Sequence, residues 1–220
     1  EWLWKLLDDN VSRTNANATS HGSRRESPAM KVETFSIEGP VLITPKLIKD
    51  DRGYFYESWN SNSFADALGL APEDAPVFKQ DNHSQSQKGV LRGLHYQLPP
   101  VTQGKLVRCT YGAIFDVAVD LRIGSSTFGQ WVAAELSADN HQQLWVPAGF
   151  AHGFLVLSEK ADVLYKASGF WNKACERSLL WNDSQLAIAW PLETMKPILA
   201  EKDAGAPDLD EAVAAGDVFS

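Results

Sequence analysis

The chain has few cysteines and few basic residues for its size. Of 220 residues two are Cys, and 20 Lys and Arg stand against 28 Asp and Glu, a formal charge of −8. Each shortage excludes something. Cys109 and Cys175 cannot build the disulfide framework of a small secreted scaffold, nor the four-thiolate shell of a structural zinc site. They read as free thiols of a reducing compartment. The acidic balance lacks the basic footprint of a protein that coats nucleic acid, although it leaves room for a local basic pocket that takes an anionic small molecule. No apolar run reaches the 18 residues that would span a membrane as a helix. The apolar opening, Glu1 to Leu7, lacks the basic leader and the processing site of a secretion signal. Internal repeats and a glycine-rich phosphate loop are also missing. The charge balance and the absence of targeting elements fit a cytoplasmic protein.

What is present is the composition of one soluble globular core, 44% hydrophobic and 22% charged. Residues 1–29 stand apart. From Asp8 to Ala29 large apolar side chains are scarce and Asn, Ser, Thr and Arg abound, which predicts a disordered extension that cannot offset its ordering entropy by burial. An arm that docks on a partner through Trp2 and Trp4 is the functional alternative. Residues 30–220 read as a single domain. Short β-rich runs follow at close intervals: Val41–Thr44, Gly53–Ser58, Lys105–Thr110, Ala113–Val119, Gln130–Leu136, Gln143–Val146, Gly153–Leu157 and Val163–Ala167. In Ile114 to Asp120, Phe115, Val117 and Val119 alternate with polar Asp116 and Asp120, the pattern of a half-buried strand. Helices are predicted only at Ser61–Leu68 and, near the C-terminus, Asp208–Ala215. Many strands and few helices mean a sandwich or barrel.

Outside the tail the histidines are His83, His95, His141 and His152. His95 in Gly89–Gln97 and His152 in Pro147–His152 resemble the two half-motifs of the cupin-type double-stranded β-helix, or jelly roll. Metal-binding cupins carry His-x-His and a later Glu in the first half. Here that half reads His95-x-Gln97 and is followed by Lys105, whose ammonium repels a divalent ion. Two imidazoles are too few for a transition metal, so no metal is expected and His95 becomes a candidate base near pH 7. Within fourteen positions Arg92, His95, Gln97, Gln103 and Lys105 gather two cations, a base and two amides. Arg92 and His95, three apart, face opposite sides of a straight strand, and Gly93 permits a bulge that turns both inward. The polar run Gln80 to Ser84 reads as a surface turn, at least for His83. Arg52 either binds phosphate or pairs with a surface aspartate.

Four runs in register carry a more specific resemblance. Val90 to Gln97 with Gln103 to Val107, Pro147 to Phe154, Leu164 to Lys166, and Trp181 to Asp183 are similar to the dTDP-4-dehydrorhamnose 3,5-epimerase family. The likeness runs from about Lys31 to Leu209. It implies a cofactor-free isomerase of dTDP-rhamnose biosynthesis, feeding polysaccharide biosynthesis, that turns dTDP-4-dehydro-6-deoxy-D-glucose into dTDP-4-dehydro-L-rhamnose. By the same resemblance His95 is the base, paired with Asp203, Tyr165 is the general acid, and Lys105 stabilises charge on the 4-oxygen. Arg52 and Arg92 neutralise the diphosphate. Gln80, Asn82 and Glu57 meet the nucleotide, His152 lies close to the sugar, and Trp171 walls the base. The family's homodimers exchange N-terminal strands, so Arg52 is expected from a partner subunit. Asp116 is placed to orient a neighbouring histidine.

Taken without the family, Asp203 reads as a surface charge, Tyr165 as a core aromatic and Lys105 as a solvated lysine. The chain departs from the family at Ile48, often Phe, and in Ser168 to Trp171, often Thr-x-Tyr-Tyr. Both departures bear on the grip on thymine and not on proton chemistry. A single-centre 3- or 5-epimerase and a metal-free binding module are the competing readings.

Overall fold

The computed structural model describes residues 30–220, so the tail expected over residues 1–29 lies outside the described residues. In chain order the described elements are β1 (Lys31–Thr34), β2 (Val41–Thr44), β3 (Ile48–Asp50), β4 (Gly53–Phe55), α1 (Ser61–Leu68), β5 (Gln80–Gln87), β6 (Leu91–Gln97) and β7 (Lys105–Tyr111). They continue with β8 (Ala113–Asp120), β9 (Trp131–Ser137), β10 (Gln143–Val146), β11 (Phe150–Val156), β12 (Lys160–Ala167), β13 (Glu176–Ser178), α2 (Glu201–Ala204) and α3 (Leu209–Ala215). One sheet runs β1-β2-β10-β7-β12-β5 and a second β13-β6-β11-β8-β9, while β3 and β4 form a separate hairpin. The two antiparallel sheets face each other as the jelly roll that the half-motifs led one to expect.

Three apolar clusters sit in successive layers. Between the sheets pack Val107, Ile114, Leu144, Phe154, Val156 and Val163. Behind the five-stranded sheet, Leu94, Tyr96, Val117, Val119 and Leu179 meet α3 through Leu209 and Ala212. Outside the six-stranded sheet, Phe64 of α1 packs on Leu106 and Trp145. α1 starts at Asn60, whose side chain accepts from the backbone N–H groups of Asn62 and Ser63, and stops at Gly69 in the left-handed conformation. In α3, Asp208 and Glu211 form a capping box.

The second layer corrects one sequence expectation. β8 alternates as read, but neither face meets solvent: Phe115, Val117 and Val119 lie under the C-terminal coat, and Asp116 is 0% exposed on the inner side. A strand buried on both faces still alternates when one of them lines a polar interior. A second correction concerns Gln80 to Ser84, which is the start of β5 and not a turn. His83 does lie at the surface, 60% exposed and 3.6 Å from Asp162. β5 eluded hydrophobic periodicity because both its faces are polar, the outer one facing water and the inner one turned into the protein, where Ser84 reaches an interior cavity.

Candidate active site

Arg92 and His95 reach one cavity because β6 carries an extra residue. On β11 the step from His152 to Phe154 spans two residues, and the facing step on β6 from His95 to Arg92 spans three. Glycines make that bulge feasible. Gly93 has φ +123°, and a Cβ there would stand 2.6 Å from Gly153 Cα. The freed Gly93 N–H donates to Asp203 Oδ2 at 3.3 Å. Asp203 arrives from the far end of the chain on α2, and the preceding strap is pinned to β6. Ile198 N donates to Gly89 O at 2.8 Å, and Leu91 N donates to Ile198 O at 3.0 Å.

The cavity measures about 490 Å³, and Arg92, His95, Lys105, His152, Tyr165 and Asp203 line it. Trp171 stands at its mouth, 55% exposed. His95 Nε2 lies 2.6 Å from Asp203 Oδ1. Burial lowers the His95 pKa and Asp203 offsets this only in part, so the ring is neutral at pH 7. Burial would raise Asp203, but the hydrogen bonds from His95 and Gly93 outweigh it and hold the carboxyl below the usual range. An ionised carboxylate only accepts, so Nε2 carries the proton and the lone pair resides on Nδ1. Asp203 is therefore not a surface charge, and Lys105 is not a solvated lysine. Lys105 is 8% exposed, and burial brings its pKa down to about 8. Its Nζ donates to His95 O at 3.1 Å, joining β7 of one sheet to β6 of the other. Tyr165 packs on the inter-sheet core and also faces the cavity, with its pKa raised by burial. The ring is thus a core aromatic whose hydroxyl-bearing residue also lines the cavity.

Gln80, Asn82, Ser84 and Ser86 form the inner row of β5. Ser86 Oγ accepts from Arg92 Nε at 3.0 Å. Gln80 Nε2 donates to Asn82 Oδ1 at 2.9 Å, and Gln80 Oε1 accepts from Trp171 N at 2.9 Å. The amides of Gln97 and Gln103 hold the loop that presents Trp171: Gln97 Oε1 accepts from Asn172 N at 2.7 Å, and Gln103 Nε2 donates to Gly169 O at 2.7 Å. His152 Nε2 lies 2.7 Å from Asp116 Oδ1.

Four expected residues are not among those that line this cavity: Gln80 and Asn82, farther along β5 than Ser84, and Arg52 and Glu57. Arg52 lies in the β3–β4 hairpin with its side chain 65% exposed, and Asp50 accepts from its Nε at 3.0 Å. Glu57 is exposed and accepts from Asn60 Nδ2 at 3.1 Å. Ile48, on the same hairpin, is 57% exposed. Conversely, sequence reasoning passed over Ser84, Glu176 and Lys202, which line the cavity. Lys202 Nζ and Glu176 Oε1 pair at 3.2 Å across its mouth, between α2 and β13. The one signal for Lys202 was its place beside Asp203. Among the described residues no group of three or more His, Cys, Asp or Glu side chains could hold a metal ion, and no helix is long and apolar enough to cross a membrane.

Comparison with known proteins agrees with this geometry. The profile of the dTDP-4-dehydrorhamnose 3,5-epimerase family matches residues 34–211. The chain is 55% identical over 175 residues to a Pseudomonas aeruginosa protein of that name, covering 79% of this chain and 93% of the relative. To the Escherichia coli K12 protein of the same name it is 50% identical over 185 residues, 84% of this chain and 97% of the relative. A crystal structure of dTDP-6-deoxy-D-glucose-3,5-epimerase from Legionella pneumophila in complex with dTDP-4-keto-L-rhamnose superposes with a TM-score of 0.80 at 46% identity. That match covers 87% of this chain and 98% of the other. A jelly roll that sets a carboxylate-held imidazole, a buried lysine and a tyrosine around one cavity, and matches these proteins along nearly all of their length, belongs to the dTDP-4-dehydrorhamnose 3,5-epimerase family.

Proposed function

We propose that the chain epimerises dTDP-4-dehydro-6-deoxy-D-glucose at C3 and C5 to give dTDP-4-dehydro-L-rhamnose. One observation carries the chemistry: His95 projects from the five-stranded sheet and Tyr165 from the six-stranded sheet, on opposite walls of one cavity. Inversion needs proton removal from one face of the sugar and return from the other. The 4-keto group acidifies the protons on C3 and C5. Neutral His95 takes one through Nδ1, and the charge that then builds on Nε2–H is met by Asp203. The electron pair moves to the 4-oxygen, where the Lys105 ammonium stabilises the enolate by roughly 3 to 4 kcal/mol. Tyr165, kept protonated by burial, returns a proton on the opposite face. Once His95 has released its proton to solvent and Tyr165 has regained one from it, the same sequence at the second carbon completes the double inversion without a metal or cofactor taking part.

Arg92, with Nε held by Ser86, offers its remaining guanidinium donors to the diphosphate. Gln80, Asn82 and Trp171 form the nucleotide end, and His152 meets the sugar. Arg52 and Glu57 join the site in a homodimer that exchanges N-terminal strands. Support for this comes from the β3–β4 hairpin, which pairs with no other strand among the described residues and exposes Ile48, Tyr54 and Phe55. A cytoplasmic location fits two buried free thiols and a nucleotide-sugar substrate. The test is NADPH oxidation by a coupled 4-keto reductase. Activity should depend on the chain, and His95→Asn should abolish it. Light scattering should report twice the 24.3 kDa chain mass. Reductase turnover that His95→Asn leaves intact would refute the assignment.

A further inference from the structure

A second imidazole–carboxylate pair lies beside the first on the inner side of the five-stranded sheet. His152 of β11 stands directly opposite His95 of β6, so the two rings are cross-strand neighbours. Each has its own carboxylate, Asp203 for His95 and Asp116 for His152. The second pair is the more deeply buried: Asp116 is 0% and His152 6% exposed. While Asp116 Oδ1 binds His152, its Oδ2 is buried with no hydrogen-bond partner among the described residues. Leaving a carboxylate oxygen unpaired in the interior opposes folding, so packing does not account for an aspartate here.

Charge balance in the cavity is the argument for a neutral His152 ring. Around the cavity Arg92, Lys105 and Lys202 balance Asp116, Glu176 and Asp203, provided that both imidazoles are neutral. An imidazolium at His152 would add an uncompensated cation beside His95 and the buried Lys105. A neutral ring whose Nε2 faces an ionised carboxylate must carry its proton on Nε2, which leaves the lone pair on Nδ1.

We propose that Asp116 is a positioning residue that acts through His152: it locks the Nε2–H tautomer, so that Nδ1 serves as the acceptor for a hydroxyl of the bound sugar. Naming a sugar as the ligand rests on the epimerase reading; the tautomer itself does not. A ring free to carry its proton on Nδ1 would present a donor there and lose its hold on that hydroxyl while the two neighbouring carbons are inverted in turn.

The test begins with nitrogen NMR of the histidine-labelled full chain at pH 7, with the His152 signals assigned by their loss in His152→Gln. The Nε2–H tautomer is expected for His152, and an Nδ1–H tautomer or an imidazolium would overturn the proposal. This measurement decides the matter even if Asp116→Asn fails to fold. Where that variant folds, kcat should fall roughly ten- to a hundredfold while dTDP affinity is unchanged. Added to His152→Gln, Asp116→Asn should cause no further fall, and an undiminished further fall would overturn the proposal. If wild-type protein holds His152 as Nε2–H yet exchanges neither sugar proton, the epimerase reading falls and the tautomer lock stands.

Discussion

Replacing Lys105 by Met should push stability and activity in opposite directions. Lys105 is the buried cation of the cavity, with a pKa of about 8 against about 10.4 for an exposed lysine. Over that interval the unfolded chain binds the extra proton, so stability rises as pH climbs from about 8 towards 10 and the full penalty applies below 8. The difference corresponds to about 3 kcal/mol at pH 7. Methionine fills nearly the same volume without the charge. It forfeits the hydrogen bond to His95 O, a loss of about 1 kcal/mol. The net expectation is a gain of about 2 kcal/mol, or about 4–8 °C in Tm for a chain of this size. Enolate stabilisation disappears in the same step, so kcat should drop about 10²- to 10³-fold. Thermal denaturation at pH 7 and turnover of the dTDP-4-keto sugar measure the two halves. In the wild type, activity should also decline as pH rises through about 8, where the ammonium is lost, and Lys105→Met should lack that decline. A variant that loses stability and keeps its rate would refute the reasoning.

Other perturbations separate the remaining parts. Asp203→Asn removes the acceptor of His95 Nε2–H, so kcat should fall roughly ten- to a hundredfold, with the acid limb of the pH–rate profile displaced to lower pH. Because the Asp203 pKa is lowered in the fold, its stabilisation is present above pH of about 4 and lost as pH falls through the folded pKa. Urea unfolding of Asp203→Asn should show a weaker acid decline than the wild type. Tyr165→Phe keeps the ring that packs on the inter-sheet core and should leave Tm within a few degrees while slowing turnover about 10²-fold or more. Gly93→Ala forces a Cβ against the Gly153 backbone at a positive φ, so a loss of about 2 kcal/mol or more is expected in the urea midpoint.

What the sequence could reveal follows from how local each signal is. β2, β10 and α1 have the bounds read from the sequence, because their alternation or caps lie within one short segment. Arg92, His95 and Lys105 stood out for the same reason, being crowded into fourteen positions from β6 to the start of β7. Asp203 did not, since the contact that defines it closes over 108 residues, and only the family resemblance supplied it. Glu176 escaped for a related reason: β13 is three residues long and acquires meaning only by pairing with β6. β5 was read as a turn because periodicity assumes one apolar face, and a strand lining a polar cavity has none. The bulge was anticipated from Gly93, although the partner that makes glycine necessary, Gly153, lies on another strand.

The central claim is that one cavity removes and returns protons at both carbons flanking the 4-keto group. Proton NMR of dTDP-4-dehydro-6-deoxy-D-glucose with the chain in deuterated water tests it most directly. The C3 and C5 proton signals should both disappear, and His95→Asn should preserve them. Loss of only one signal would contradict double inversion, and persistence of both with the nucleotide bound would contradict proton abstraction itself.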